Sequence, residues 1–312
     1  MAPAILINAS GGNAGYGHLY GGSGQTVGSA GNAGNISLTL QPQSAAAPSI
    51  QISSVGANSP AVALIANGGS GGGGGFTDNG SFINHWSDAS GGGNAGNVSF
   101  TTYSAQGGQP IIISTSGDHS GGILAQSIGG QGGYGGYHRA ENGDFGVGNG
   151  GNGGAAGIVT IKTNANISTA GNYAVGIRAI SSGGNGGQSG ITSGDTSGNG
   201  GTGLTTGFAV EGVSGGTITT KGAYSSGIYA TSIGGTGANG VESSQAGKGA
   251  PSGQVSVQNT GAIVTSGDES HGIFASSFGG GGGAGGSTDT NGAIFIFAQG
   301  GQGANGAKGG YT

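Results

Sequence analysis

"ISTSGDHSGGILAQSIGGQGG" runs from Ile113 to Gly133. Ile113 and Thr115 alternate with Ser114 and Ser116, and past a Gly-Asp pair Ile123, Ala125 and Ser127 alternate with Leu124 and Gln126. A period of two is the signature of a β-strand with one face buried, so two short strands meet at a corner here. Glycine takes over immediately after the second strand. A segment built for a core therefore leads straight into residues that bury almost nothing.

The pattern is not unique to this stretch. I-x-[ST]-x-G-x-x-[SA]-x-x-[IV]-x-[AL]-x-[AS] occurs five times, starting at Ile52, Ile113, Ile167, Ile218 and Ile263. A second aliphatic anchor follows ten residues later in each copy, at Val62, Ile123, Ile177, Ile228 and Ile273. The copies themselves are 61, 54, 51 and 45 residues apart. A fixed spacing inside a variable period reads as a structural rung carrying surface excursions, because lengthening a loop costs little free energy. Glycines Gly56, Gly117, Gly171, Gly222 and Gly267 divide the two strands, where a corner needs positive φ or close backbone passage. Asn58, Asp118, Asn172 and Asp268 sit beside them and fit turn chemistry.

A third strand precedes the unit: "NISLTL" (35–40), "NVSFTT" (97–102), "IVTIKT" (158–163), "FAVEG" (208–212) and "QVSVQN" (254–259). One turn thus reads strand, corner, strand, corner, strand. This predicts an all-β chain, a right-handed parallel β-helix (β-solenoid), with rungs near 36–66, 98–127, 159–181, 208–232 and 255–277. Partial coils are expected at both ends, at "AILINASGG" from Ala4 and "AIFIFAQGG" from Ala293, and the whole reads as a single 1–312 solenoid fragment. The ten anchors Ile52, Ile113, Ile167, Ile218, Ile263, Val62, Ile123, Ile177, Ile228 and Ile273 form the expected core ladder. Ala63, Leu124, Arg178, Tyr229 and Phe274 form an outward column, and the arginine among them marks that column as facing solvent or a loop. Rungs of this kind cannot bury their faces alone and must stack.

Glycine-rich inserts follow each rung, over 68–96, 129–157, 183–207, 234–253 and 279–292, all leaving from the same side of the stack. Two readings stand. They are flexible loops, the ordinary behaviour of such tracts, or they are extended polyglycine-II-like strands with three residues per turn. Order would require neighbouring chains to share backbone hydrogen bonds, since fixing so many glycines otherwise has a large uncompensated entropy cost.

Composition narrows the function classes. The 312 residues include 84 glycines, 6 prolines and no cysteine, with 6 basic and 11 acidic residues giving a net charge of −5. No basic patch is available to neutralise phosphates, so nucleic acid is not an expected partner, and anionic lipid is not either. Without cysteine there is neither a disulfide framework nor a thiolate metal site. The longest apolar runs, "AVALIA" (61–66) and "AIFIFA" (293–298), are far short of a membrane-spanning helix. "APAILINASGG" lacks the basic start and apolar stretch of a signal peptide, so the chain reads as a fragment beginning partway through a repeat.

Apparent chemical motifs dissolve on inspection. "GGSGG" (68–72) and "GVSGG" (212–216) fit G-x-S-x-G without a strand–elbow–helix. Gly148–Gly153 fits G-x-G-x-x-G without a following helix to meet phosphate. Asp118, His119 and Ser120 are adjacent in an extended turn, so their side chains diverge and cannot relay a proton. His18, His85, His138 and His271 have no metal-ligand spacing, and Glu141 with Asp144 is the nearest approach to a calcium roll. Ice binding would need a flat outward threonine array. The outward pairs Ser37/Thr39, Ser99/Thr101, Thr160/Lys162, Ala209/Glu211 and Ser256/Gln258 are mixed and partly charged. No catalytic, cofactor or metal residue is therefore assigned. Leu124, Tyr229 and Phe274, with Trp86, Tyr134 and Tyr137 from the first two inserts, form the candidate recognition surface. The same aromatics would also serve simply to pack the inserts onto the rungs.

Units of the type SGD-x-S-x-GI-x-A-x-S-I-GG-x-GG, here "SGDHSGGILAQSIGGQGG" (116–133) and "SGDESHGIFASSFGGGGG" (266–283), resemble repeats of large autotransporter passenger domains of Gram-negative bacteria. The resemblance spans roughly 31–300. It implies a β-helical passenger displayed at the cell surface, exported behind an N-terminal signal and held by a C-terminal outer-membrane barrel. It also implies adhesion or biofilm roles, with a surface glycan or protein as partner. A self-assembling filament, joined through the solenoid ends, is the alternative, and a polysaccharide-acting enzyme a third, lacking the clustered carboxylates it would need.

Overall fold

The structure is a computed structural model describing residues 2–16, 27–44, 46–74, 87–103, 109–139, 145–189, 208–213, 216–240 and 245–285. Trp86, the half-repeat at 293–301 and the outer parts of several inserts lie outside the described residues.

The strands are β1 (Ile5–Ser10), β2 (Ile36–Leu40), β3 (Gln51–Ser54), β4 (Val62–Asn67), β5 (Val98–Thr102), β6 (Ile112–Thr115), β7 (Ile123–Ile128), β8 (Tyr137–Arg139) and β9 (Phe145–Val147). They continue as β10 (Val159–Lys162), β11 (Asn166–Thr169), β12 (Ile177–Ser182), β13 (Phe208–Val213), β14 (Ile218–Thr220), β15 (Ile228–Ile233), β16 (Val255–Asn259), β17 (Ile263–Thr265) and β18 (Ile273–Phe278). Three parallel sheets result, in the orders β1-β4-β7-β12-β15-β18, β2-β5-β10-β13-β16 and β3-β6-β11-β14-β17. Each coil contributes one strand to each sheet, which is the parallel β-solenoid that the repeat predicts. The register is that of the repeat: Ile123 pairs Ile177 and Val62, Ile177 pairs Ile228, and Ile113 pairs Ile52 and Ile167. One element was not foreseen. β8 and β9 form an antiparallel hairpin inside the insert that follows β7.

Val62, Ile113, Ile123, Ile177, Ile218 and Ile228 are fully buried, together with Leu64, Phe100 and Ile161. Ladder formation thus succeeds through the middle of the stack, but its C-terminal rung departs from expectation. Ile273 is 44% exposed and Ile263 only partly buried, because no further described coil lies over β17 and β18. The outward column also departs from a simple solvent face. Arg178 is exposed, Leu124, Tyr229 and Phe274 are half-buried, and Ala63 is buried.

The small polar positions of the repeat have distinct duties. At the corner, Thr115 donates its hydroxyl to the Ser120 carbonyl, and Thr169 and Thr220 do the same to Ala174 and Ser225. Ser120 Oγ donates to the Gly56 carbonyl (2.6 Å) and accepts the Ser59 N–H (2.9 Å), so it ties one corner to the one beneath. The corner glycines serve the second of their two expected purposes. None adopts positive φ; a Cβ on Gly117, Gly171, Gly222 or Gly267 would land on the carbonyl of the equivalent glycine one coil earlier. Positive φ falls two residues later, on Asn58, His119, Tyr173, Tyr224 and Glu269. The flanking acids and amides also act between coils and not within the turn. Asp118 Oδ1 accepts the Asn172 N–H (2.8 Å), and Asn172 Oδ1 accepts the Ala223 N–H (3.0 Å).

The glycine inserts are ordered wherever they are described. The outgoing arms, 11–16, 68–74, 129–136, 183–189, 234–240 and 279–285, bond to one another at every third residue. Gly68, Gly71 and Gly74 donate to the carbonyls of Ile128, Gln131 and Tyr134 in the next arm at 2.9, 2.7 and 2.7 Å. Gly129, Gly132 and Gly135 donate onward to Ser182, Asn185 and Gln188. A second layer holds the returning arms 27–35, 87–97, 148–157 and 245–253, and the layers bond across: Gly130 donates to Gly93, and Gly154 to Gly130. Bonding directions that repeat every three residues, with no bonds inside an arm, are those of polyglycine II. For the described parts of the inserts, the extended lattice holds and the flexible loop does not.

Serine pins this lattice to the solenoid. Ser127 is fully buried at the end of β7, where its hydroxyl donates to the Gly96 carbonyl (2.9 Å) and accepts the Gly157 N–H (2.6 Å). Ser181 and Ser277 reach Gly157 and Gly253 in the same way. Substituting Ser127→Ala should cost about 1–3 kcal/mol, since a buried N–H and carbonyl lose their partner. Urea unfolding reads the loss, and hydrogen exchange should accelerate at Gly157 before it does in β7.

Candidate functional site

Three features gather exposed side chains. The first lies on the outer face of the outgoing arms. In these arms, the buried Ser189 apart, two residues of every three are glycine or alanine, turned toward the lattice, and the third projects. The projecting residues are Gln131 and Tyr134, then Asn185 and Gln188, then Thr236 and Asn239, in successive arms. Together with Gly186, Gly237, Ala238, Gly281 and Gly282 they line a shallow groove of about 400 Å³. Adjacent arms follow the coil spacing of ~4.8 Å, and projecting residues along an arm recur every ~9.3 Å.

Two of the amides are oriented by the backbone. Asn185 Oδ1 accepts the Thr236 N–H (3.0 Å), and Asn239 Oδ1 accepts the Ala284 N–H (2.9 Å). That commits the Asn185 Oδ1 as an acceptor between neighbouring arms. Tyr134, 65% exposed, stands at one end. The lining contains four amides, a hydroxyl and a phenol, and no charged side chain. It is suited to a neutral ligand rich in hydroxyls, which amides meet as donor and acceptor and a tyrosine ring meets by stacking.

The second feature is the outward column of the six-stranded sheet. Register places Leu124, Arg178, Tyr229 and Phe274 side by side on successive strands. Tyr229 and Phe274 stack at 5.0 Å, the Arg178 guanidinium lies 5.7 Å from the Tyr229 ring centre, and His271 meets Phe274 edge-on at 5.8 Å. The sequence reading is right that these residues share a column. However, stacking covers the ring faces that a sugar would need, so the column is largely self-satisfied. None of it lines the groove. Of the six candidate recognition residues, only Tyr134 lies in the groove; Tyr137 is carried on the β8–β9 hairpin and Trp86 lies outside the described residues.

The third feature was missed in the sequence. His119, Tyr173 and Tyr224 occupy the positive-φ site of three successive corners and form a continuous stack, with centroids 4.8 and 4.9 Å apart and planes within 4°. Glu269 follows in the next corner, and its carboxylate raises the Tyr224 hydroxyl above the ordinary tyrosine pKa, with Tyr173 adding a smaller push. The sequence signal was present, as the second residue after each corner glycine. In this stack His119 serves Tyr173, Asp118 serves the Asn172 amide and Ser120 is buried against Gly56, so the three adjacent residues address three different neighbours.

No group of three or more histidine, aspartate or glutamate side chains that could hold a metal occurs among the described residues. No helix there is long and apolar enough to cross a membrane. No protein-family model matches the chain, and no curated protein does. Among solved structures, a polyproline type II bundle antifreeze protein from the springtail Granisotoma rainieri is 19% identical, covering 72% of this chain and 94% of its own, with a TM-score of 0.13. At that score the likeness carries no argument about fold or function.

Proposed function

We propose that this chain is a non-enzymatic repeat region of a secreted or surface-displayed bacterial protein, an adhesin stalk whose glycine bundle presents a glycan-binding face. The observation that carries the reading is the uncharged, amide-lined groove on the outer arms, with Tyr134 exposed at its end. The resemblance of the repeat to autotransporter passengers supports a surface location. A stiff solenoid with a hydrogen-bonded bundle on one side is a sensible way to hold such a face rigidly away from a cell.

The test uses the intact chain on an array of neutral and acidic glycans. Binding to neutral saccharides is expected, and the double substitution Tyr134→Ala with Asn185→Ala should abolish it. Tyr134 and Asn185 are both exposed, but Asn185 also accepts the Thr236 N–H, so the double variant should lose about 0.5–1.5 kcal/mol and remain folded. Retention of binding by the double variant would remove the groove from the reading. Failure of the unaltered chain to bind any glycan would remove the adhesin reading itself.

One observation favours filament formation as a second reading. The last described coil exposes Val264 (55%), Ile273 (44%) and Phe278 (55%) beside strand edges that no other described strand pairs, and such edges invite pairing with another chain. Sedimentation that stays monomeric up to high protein concentration would exclude it.

A further inference from the structure

We propose that Tyr173 and Tyr224 form an oxidative cross-linking site, in which a one-electron oxidant joins the two rings as dityrosine and staples adjacent coils together. The chain has no cysteine, so thiol chemistry cannot lock its coils. The two tyrosines sit at φ 56° and 55°, a backbone region that disfavours bulky residues. A chain with 84 glycines could have placed glycine at either corner without strain. Retaining a ring there points to a use for the ring, since strain of this kind gathers where a side chain is needed.

The stack supplies the geometry. The rings lie 4.9 Å apart and within 3° of parallel, and they arise from equivalent positions one coil apart. The two phenol rings are therefore held parallel as nearest ring neighbours, so the carbons beside the hydroxyls need only a small tilt or slide to meet. Tyr173 is 50% and Tyr224 45% exposed, so both can tilt and both are open to an oxidant. Tyr16, Tyr134 and Tyr103 are more exposed, at 86%, 65% and 52%. Exposure alone would select those three. Among the described residues, though, only Tyr173 and Tyr224 stack tyrosine on tyrosine.

The step balances with hydrogen peroxide as oxidant and a haem peroxidase as catalyst. Each phenol gives up one electron and one proton and becomes a phenoxyl radical with spin density beside the oxygen. The two ring carbons join in one new bond, and the hydrogens they carried move to the oxygens, restoring both hydroxyls. Peroxide takes the two electrons and two protons and leaves as two waters.

The intact chain, dilute enough to stay monomeric, is treated with a haem peroxidase and peroxide, and digested with trypsin. The expected product joins the peptide ending at Arg178 to the peptide ending at Lys248, two hydrogens lighter than their sum, with fragmentation placing the bond at Tyr173 and Tyr224. Tyr173→Phe and Tyr224→Phe keep a ring in the stack and should each reduce dityrosine fluorescence to the level of unoxidised protein. Tyr229→Phe, on the same peptide as Tyr224, should leave it unchanged. Three results would overturn the proposal: no dityrosine at all, a bond mapped to Tyr229, Tyr134, Tyr103 or Tyr16, or undiminished fluorescence from Tyr173→Phe.

Discussion

Gly130→Val should destabilise the protein by about 3 kcal/mol or more, a large effect for one residue in a glycine tract. A Cβ on Gly130 would fall on the Gly69 carbonyl of the neighbouring arm, a backbone atom that cannot swing aside. The Gly130 N–H donates to Gly93 and its carbonyl accepts from Gly154, so separating the arms breaks bonds in both layers. Urea unfolding should show the loss, and hydrogen exchange should show 68–74 and 148–157 opening while β7 stays protected. Gly281→Ala is the matched control. Nothing lies within 4 Å of a Cβ there, and stability should change by no more than about 0.5 kcal/mol. If the arms were flexible loops, both substitutions would be neutral or mildly stabilising, through a less disordered unfolded chain. The pair of variants thus separates a lattice from a tether.

The solenoid was legible because its signal is local and repeated. The ten-residue spacing from Ile113 to Ile123 fixes which side chains point inward, and the same spacing in five copies makes stacking the only economical burial. The polyglycine lattice was half legible. Periodicity of three is visible in "GGQGGYGG" (129–136) and "GGNGGQSG" (183–190), but whether arms pair depends on which arm lies beside which. That is a consequence of coil stacking, and no single tract contains it. The amide groove follows from the same fact. Gln131, Asn185 and Thr236 occupy the same place in their triplets, yet they become neighbours only once arms 51–54 residues apart in sequence are laid side by side.

The aromatic corner shows a different kind of failure. Glycine at the corner is compatible with positive φ and with close backbone passage alike. The structure gives the left-handed conformation to His119 instead, and uses Gly117 for close passage. Those two purposes are indistinguishable in sequence, so the sequence does not show that the residue two places later carries the strain. Similarly, Asp118 and Asn172 look like turn formers, but their oxygens reach across coils.

Ile177→Ala should cost about 2–5 kcal/mol, the range for removing a fully buried aliphatic side chain and leaving a cavity. Ile177 is inaccessible to solvent and lies in register between Ile123 and Ile228, both equally buried. Neither neighbour can settle into the gap without drawing its own strand out of alignment with the arms. Ile273→Ala removes the same atoms from the same rung position at the end of the stack. Because Ile273 is 44% exposed, its loss should cost less than about 1 kcal/mol. Equal chemistry with unequal cost is what a stack of rungs requires, since stability there is a sum of nearest-neighbour interfaces and a terminal rung has only one. The central substitution should also change the form of the transition. Weakened interfaces of β12 with β7 and with β15 give the two halves of the stack separate midpoints, visible as a second step in urea unfolding monitored by circular dichroism. A single cooperative transition in Ile177→Ala, at the midpoint of the unaltered protein, would show that the glycine bundle and not the apolar ladder holds the coils together.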